Sequence, residues 1–395
     1  MSLNDLITRV EKHNIIPDLY NEGISYDELK KTVIDTLKPY FTNKANLKLT
    51  PIDIYLDSWI HFIKLQSKDE YFNIFKKILD FYNKSKSFEQ NETFMIISSW
   101  STDYDSGQST LWSLLNSENI LDTFENKEDY LNYVLQMLGS IIEGVTKPIL
   151  KELYKLNKFL CSESISKDEI NNLDLGVLVE SLDNIAEFNN FFKPLPKRLK
   201  ISQWRNIAYH HTAVYEDGII KCTYGKGRNR RDFTTNINEI EETFMNTLFL
   251  YDALSLARTF FFLDNEHEIT DELQRIGYFP NIRIEAFLLS FYTALSKEQF
   301  KILDCKLDDD NAYLILQDMT KGNEKTRAIH SSQILYNLWW YTNKKNLSIE
   351  YKNYEGESML ISSTTNEICE KIGNREKKLN YLAENVKFET LKDFI

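Results

Sequence analysis

The sequence predicts a mainly α-helical protein built from several packed units. Three observations carry that reading. The 395 residues exceed what one ordinary core organises. Breakers are scarce, with 12 Gly and 7 Pro against 22 Tyr and 24 Phe, a composition that favours long, well-packed helices. Apolar residues also recur at three- and four-residue spacing over much of the chain. The pattern divides it into an N-terminal helical region (1–120), an antiparallel helical bundle (121–268) and a smaller C-terminal α+β region (269–395).

Hydrophobic residues make up 42% and charged residues 27%, the balance of a folded domain. The net charge of −12 argues against a general nucleic-acid coating protein, so any RNA contact must be a local basic patch on an acidic body. Four widely spaced cysteines, Cys161, Cys222, Cys305 and Cys369, form no C-x-x-C pair. No disulfide framework, metal site or cofactor is expected from them, and a reducing cytoplasm fits. The first residues lack a secretory pattern and no apolar run approaches the roughly 18 residues that cross a membrane. A cytoplasmic location without a membrane partner is expected.

The N-terminal helices carry start signals. Ser25 and Glu28 form a capping box ahead of Leu29, Val33, Leu37 and Phe41. Thr50-Pro51 opens a helix from Ile52 to Leu65, and Ser67 with Glu70 repeats the box before Phe72 and Phe75. Ser101 to Gly107 fails as a calcium loop, since Gln108 and Leu114 stand where glycine and a ligand are needed. A polar turn is expected there.

From Lys127 to Leu160 a broad apolar stripe predicts a long helix, kinked at Pro148. A second helix follows Ser166 and Glu169 and runs through Leu175 to Phe188, where Pro194 and Pro196 stop the pattern. A third carries Trp204 to Val214, a Gly-containing hairpin follows, and a fourth runs from Asn238 to about Leu263. Short links between four helices predict an antiparallel bundle. Beyond Asp271, hairpins are expected at 300–317 and 347–362, with helical stretches at 282–295, 331–341 and 365–372.

The third helix holds the most informative stretch, Trp204-Arg205-Asn206-Ile207-Ala208-Tyr209-His210-His211. Arg-Asn-x-x-x-His arises by chance in roughly one such sequence in a hundred, and the Asn supplies most of that specificity. The residue types suit RNA cleavage through the ribose 2′-hydroxyl. His210 can transfer protons near neutrality. Arg205 is a permanent cation that binds phosphate in a fork. Asn206 can orient His210 or the phosphate, being its i,i+4 neighbour on a helix. Arg205 and His210 stand about 140° apart on a helical wheel, so one helix should converge them poorly and two helices from two chains would do better.

The Arg-Asn-x-x-x-His motif, on the third of four helices before an extended insert and a long closing helix, resembles the HEPN superfamily over roughly residues 125–265. The resemblance implies a HEPN-type antiparallel bundle and a metal-independent endoribonuclease with a site formed at a homodimer interface by both copies of the motif. Many members are toxins or abortive-infection proteins of bacterial antiphage defence. RNA is the implied partner, with transfer RNA among the candidates and an antitoxin or sensor as a separate chain. The alternative is a catalytically silent HEPN binding or scaffold protein that relays a signal between partners. In a third reading, an unrelated helical scaffold, Arg205 and His210 only hold local structure.

Flanking features complete the expected site. The run from Lys221 to Arg231 contains no acidic residue, and Lys226, Arg228, Arg230 and Arg231 suit an RNA clamp as well as a solvated hairpin tip. Glu143 and Glu187 are candidates for polar support from neighbouring helices. Tyr209 and His211 flank the motif, as packing or stacking residue and as second proton carrier. No P-loop, H-E-x-x-H or G-x-S-x-G pattern is present.

Overall fold

The computed structural model describes residues 18–19, 22–44, 47, 52–116, 123–225, 227–278, 283–374 and 376–392. The chain is mostly helical and divides into two compact units, residues 33–281 and residues 1–32 with 282–395. Among the described residues no helix is long and apolar enough to cross a membrane.

The first capping box forms as written. Ser25 donates its N–H and hydroxyl to Glu28 Oε2 at 2.9 and 2.7 Å, and helix α1 runs Tyr26–Leu37. The Thr50-Pro51 signal lies outside the described residues; α2 spans Ile52–Gln66. The second box does not form. Helix α3 (Asp69–Phe88) starts after Lys68, Ser67 Oγ donates back to the Lys64 carbonyl at 2.7 Å, and Glu70 is drawn into an ion pair with Arg198.

Helix α4 (Gln90–Ser99) leads into α5 (Ser101–Asn116), which occupies the stretch expected as a polar turn. Ser and Asp compete locally with helical hydrogen bonding, but tertiary packing wins here. A Cβ at Gly107 would lie 3.2 Å from the Gly144 carbonyl oxygen, so the glycine lets α5 approach a neighbouring backbone closely.

That neighbour interrupts the long helix. Helix α6 (Lys127–Ser140) passes through a π-helical turn, Ile141–Thr146, into α7 (Lys147–Leu160). The Lys147 N–H reaches the Ile142 carbonyl, an i→i+5 bond, and Pro148 has no N–H to continue the ordinary ladder. The expected kink is therefore a widened turn, a form of insertion recurrent at functional sites.

The expected second helix is broken into α8 (Lys167–Asn171), with its Ser166–Glu169 capping box intact, α9 (Leu175–Asp183) and a 3-10 turn at Ala186–Phe188. The third, α10, spans only Ile201–Tyr209, and the chain then enters a three-stranded antiparallel sheet, β1 (Ala213–Glu216), β2 (Ile219–Tyr224) and β3 (Arg231–Thr235). Helix α11 (Ile237–Asp264) closes the region and α12 (Glu266–Arg275) follows. Helix α10 lies on α6, and α9 on α7 and α10, but α11 packs most extensively on α3, with α2 and α6 beside it. Helices α2 to α5 thus share one core with the later ones of residues 33–281.

Phe62, Phe75 and Phe260 are fully buried in that core, each contributing about 1.5–3 kcal/mol of burial. Deeper, Arg258 Nε meets the Glu152 carboxylate at 2.9 and 3.2 Å, and Tyr82 donates to the same carboxylate at 2.5 Å.

The other unit places α13 (Ile284–Lys297) with a five-stranded sheet ordered β4 (Phe300–Leu307), β5 (Asn311–Asp318), β6 (Asn346–Lys352), β7 (Ser358–Thr365) and β8 (Lys387–Thr390). Both expected hairpins are present. Strands β5 and β6 pair in parallel, and the crossover between them carries α14 (Glu324–Ser331) and α15 (Ile334–Thr342). Helices α16 (Asn366–Gly373) and α17 (Asn380–Asn385) precede β8.

Candidate functional site

Arg205 and Asn206 are half-buried on α10, which buries Ile201, Trp204, Ile207 and Ala208. The helix ends at Tyr209. His210 caps it with φ −95° and ψ 6°, and its N–H still reaches the Asn206 carbonyl at 3.0 Å. His211 follows in the left-handed region, φ 49°, and the Thr212 N–H bonds the Ile207 carbonyl at 3.3 Å. This is a Schellman-type reversal with histidine where glycine is usual. It turns the chain into β1 and leaves His210 at the helix end.

Arg205, Asn206 and His210 line one cleft of about 320 Å³ in a single chain. His210 still makes the helical bond to Asn206, so the separation of about 140° from Arg205 persists in the backbone, and the three residues line different parts of one cleft. Asp174, Leu175 and Gly176 at the start of α9 also line the cleft, with Ser202 from α10 and Thr212, Thr223, Tyr224 and Gly225 from the sheet side. Thr212 Oγ1 donates to the Thr223 carbonyl at 2.5 Å and ties the end of β2 to the reversal.

Glu143 holds the arginine. Its carboxylate accepts from Arg205 Nε at 2.9 Å and from Lys147 Nζ, while Arg205 Nη1 donates to Asn206 Oδ1 at 3.2 Å. Both ends of the Arg205–Glu143 pair are partly exposed, and the Glu143 carboxylate and Asn206 Oδ1 together fix the guanidinium. The π turn that carries Glu143 is thus part of the site's scaffold. Glu187 is elsewhere, half-exposed on the turn after α9 and 3.8 Å from Lys84.

The flanking residues separate in the same way. Tyr209 is 44% exposed and outside the cleft lining, with its ring close to where a Cβ on Gly139 would lie. His211 is exposed and serves the reversal. The basic loop begins at the cleft's edge. Gly225 has φ 80°, and a Cβ there would lie 2.3 Å from the Asn229 carbonyl oxygen, so only glycine closes this turn. Lys226 lies outside the described residues. Arg228, Arg230 and Arg231 are exposed, with Arg230 Nε 3.4 Å from Asp232 Oδ1. Cys222, one strand position from the cleft lining, is buried, and burial pushes its thiol up to about 12, which leaves it un-ionised at neutral pH.

Sequence reasoning missed Asp174, Gly176, Ser202, Thr212 and Thr223. Asp174 stands directly before an apolar run, an ordinary helix-start pattern, so only the fold reveals that it faces a cleft. No protein-family model, no curated protein and no solved structure matches this chain.

Proposed function

We propose that this cleft is a metal-independent ribonuclease site of the HEPN type, acting through attack of a ribose 2′-hydroxyl on the adjacent phosphorus. That Arg205, Asn206 and His210 line one cleft supports the reading above all. Arg205, held by Glu143, places its free N–H groups against the phosphate and meets the charge that grows as the 2′-oxygen adds. Asn206 accepts from Arg205 through its oxygen and keeps its amide N–H groups for a phosphate oxygen. His210, at a helix end rather than in a packed face, transfers a proton. Arg228, Arg230 and Arg231 on the adjoining turn give an acidic protein a local attraction for flanking phosphates.

The biological setting proposed is that of a toxin-like effector in bacterial antiphage defence, with RNA as target and a homodimer as the assembly. That the three motif residues line one cleft does not itself require the second copy. Incubation of the purified protein with total and transfer RNA in EDTA tests the reading. Fragments ending in a cyclic phosphate and a 5′-hydroxyl are expected. Loss of cleavage on chelation, restored by magnesium, would contradict it.

A further inference from the structure

Cleavage through the 2′-hydroxyl needs two proton transfers, one from the attacking oxygen and one to the leaving 5′-oxygen. The motif supplies one titratable group to the cleft, His210. We propose that Asp174, at the head of α9, is the second and acts as the base; the inference rests on the ribonuclease reading above.

Asp174 is placed where an aspartate is normally spent on its own helix. An N-cap side chain ordinarily accepts an N–H of the first turn, worth about 1 kcal/mol. Glu89, Asn126, Ser166, Asn236 and Asn323 all do so here, while Asn265 and Thr365 do not. Asp174 makes no such bond, although the backbone has the right extended geometry, φ −64° and ψ 144°. Asp174 is exposed and lines the cleft that holds Arg205, Asn206 and His210. Two residues on, a Cβ at Gly176 would meet nothing within 4 Å, so this end of the cleft has room for a ligand. Asp174 and His210 reach the cleft from different elements, the start of α9 and the end of α10, so base and acid are separate groups.

The ionised carboxylate can only accept, and the imidazolium only donates. The 2′-oxygen gives its proton to Asp174 as the 2′-O–P bond forms. The P–O5′ bond breaks, and the leaving oxygen takes a proton from His210. A cyclic phosphate and a 5′-hydroxyl result, and solvent returns the transferred proton to His210. One chain then holds the whole proton inventory.

The test uses an oligoribonucleotide with either the ordinary 5′-oxygen or a bridging 5′-sulfur at the scissile bond, since a thiolate leaves without protonation. Asp174→Ser retains a good helix-capping residue but no base, and Asp174→Glu retains the carboxylate. On the oxygen substrate, His210→Ala and Asp174→Ser are each expected to lose roughly a hundred-fold or more in kcat. On the sulfur substrate, His210→Ala should recover to near the wild-type rate while Asp174→Ser stays slow, and Asp174→Glu should recover part of the loss on both. Asp174→Ser that matches wild type on oxygen, or that recovers on sulfur as His210→Ala does, overturns the role of Asp174 while the ribonuclease reading stands. Wild-type protein inert towards both substrates overturns the two together. A melting curve for each variant separates lost folding from lost chemistry, and Asp174→Glu folded and as slow as Asp174→Ser also counts against the carboxylate.

Discussion

Filling the cleft without touching a titratable group isolates its role as a binding site, and Gly176 offers the means. It stands at the second position of α9 and lines the cleft, and an added Cβ would meet nothing within 4 Å. Gly176→Ala therefore adds a methyl group into open space and removes backbone freedom from the unfolded chain. The gain should be about 0.5 kcal/mol, the low end of the glycine-to-alanine range, because the first turn is less demanding than a helix interior. For a unit of this size that is about 1–2 °C in Tm. Gly176→Phe keeps most of the backbone gain but places a ring in a space of about 320 Å³. Tm should hold within a degree or two of wild type while RNA cleavage and binding fall at least ten-fold. The assays are thermal unfolding and cleavage of a labelled RNA. A Gly176→Phe protein that folds and still cleaves at the wild-type rate would refute the placement of substrate in this cleft. A fall in Tm for Gly176→Ala would refute the account of the backbone.

Three further outcomes are expected. Arg258→Met should lower Tm by roughly 10 °C, because it strands the buried Glu152 carboxylate at a cost of about 3–5 kcal/mol; adding Glu152→Gln should recover part of the loss in the same melt. Replacing Arg228, Arg230 and Arg231 with Ala should weaken RNA binding and flatten its dependence on salt with no change in Tm, as titrations across salt concentrations would show. Thiol reagents at pH 8 should label exposed Cys161 and spare buried Cys222, Cys305 and Cys369 in the native protein. Burial pushes those three thiols from the ordinary value of 9.0 up to about 12. The folded state holds these protons more tightly, so their contribution is complete below pH 9 and is lost as pH rises from 9 towards 12, measurable as a falling denaturation midpoint.

How far the sequence could be read follows from how local each cause is. The Ser25–Glu28 and Ser166–Glu169 boxes, the long closing helix and both C-terminal hairpins depend on residues within a few positions of each other, and all are present. Where tertiary contacts decide, local reading failed. The polar stretch Ser101–Gly107 is helical, and it lies close against the Gly144 backbone, a contact far away in sequence. Ser67 does not cap α3 but donates back to the Lys64 carbonyl, and Glu70 pairs instead with Arg198, far along the chain. The parallel pairing of β5 with β6 has no signature in either strand. At the site, Arg205, Asn206 and His210 could be picked from residue types and spacing. The chain reversal directly after His210 could not, since it depends on His211 adopting a left-handed conformation usually reserved for glycine. Glu143 was within reach of sequence reasoning as a support residue, and it does hold Arg205. Glu187 was selected on the same grounds and lies beside Lys84 instead.

The most direct measurement of the central claim compares cleavage of transfer RNA in EDTA by the wild-type protein, Arg205→Ala and His210→Ala, with a melting curve for each. Neither side chain is part of a packed core; the Arg205 pair with Glu143 is partly exposed and worth no more than about 1 kcal/mol. Both variants should therefore melt within a few degrees of wild type and cut at least a hundred-fold more slowly. Cleavage by folded His210→Ala at the wild-type rate, or no cleavage by the wild-type protein on any RNA tried, would contradict the account.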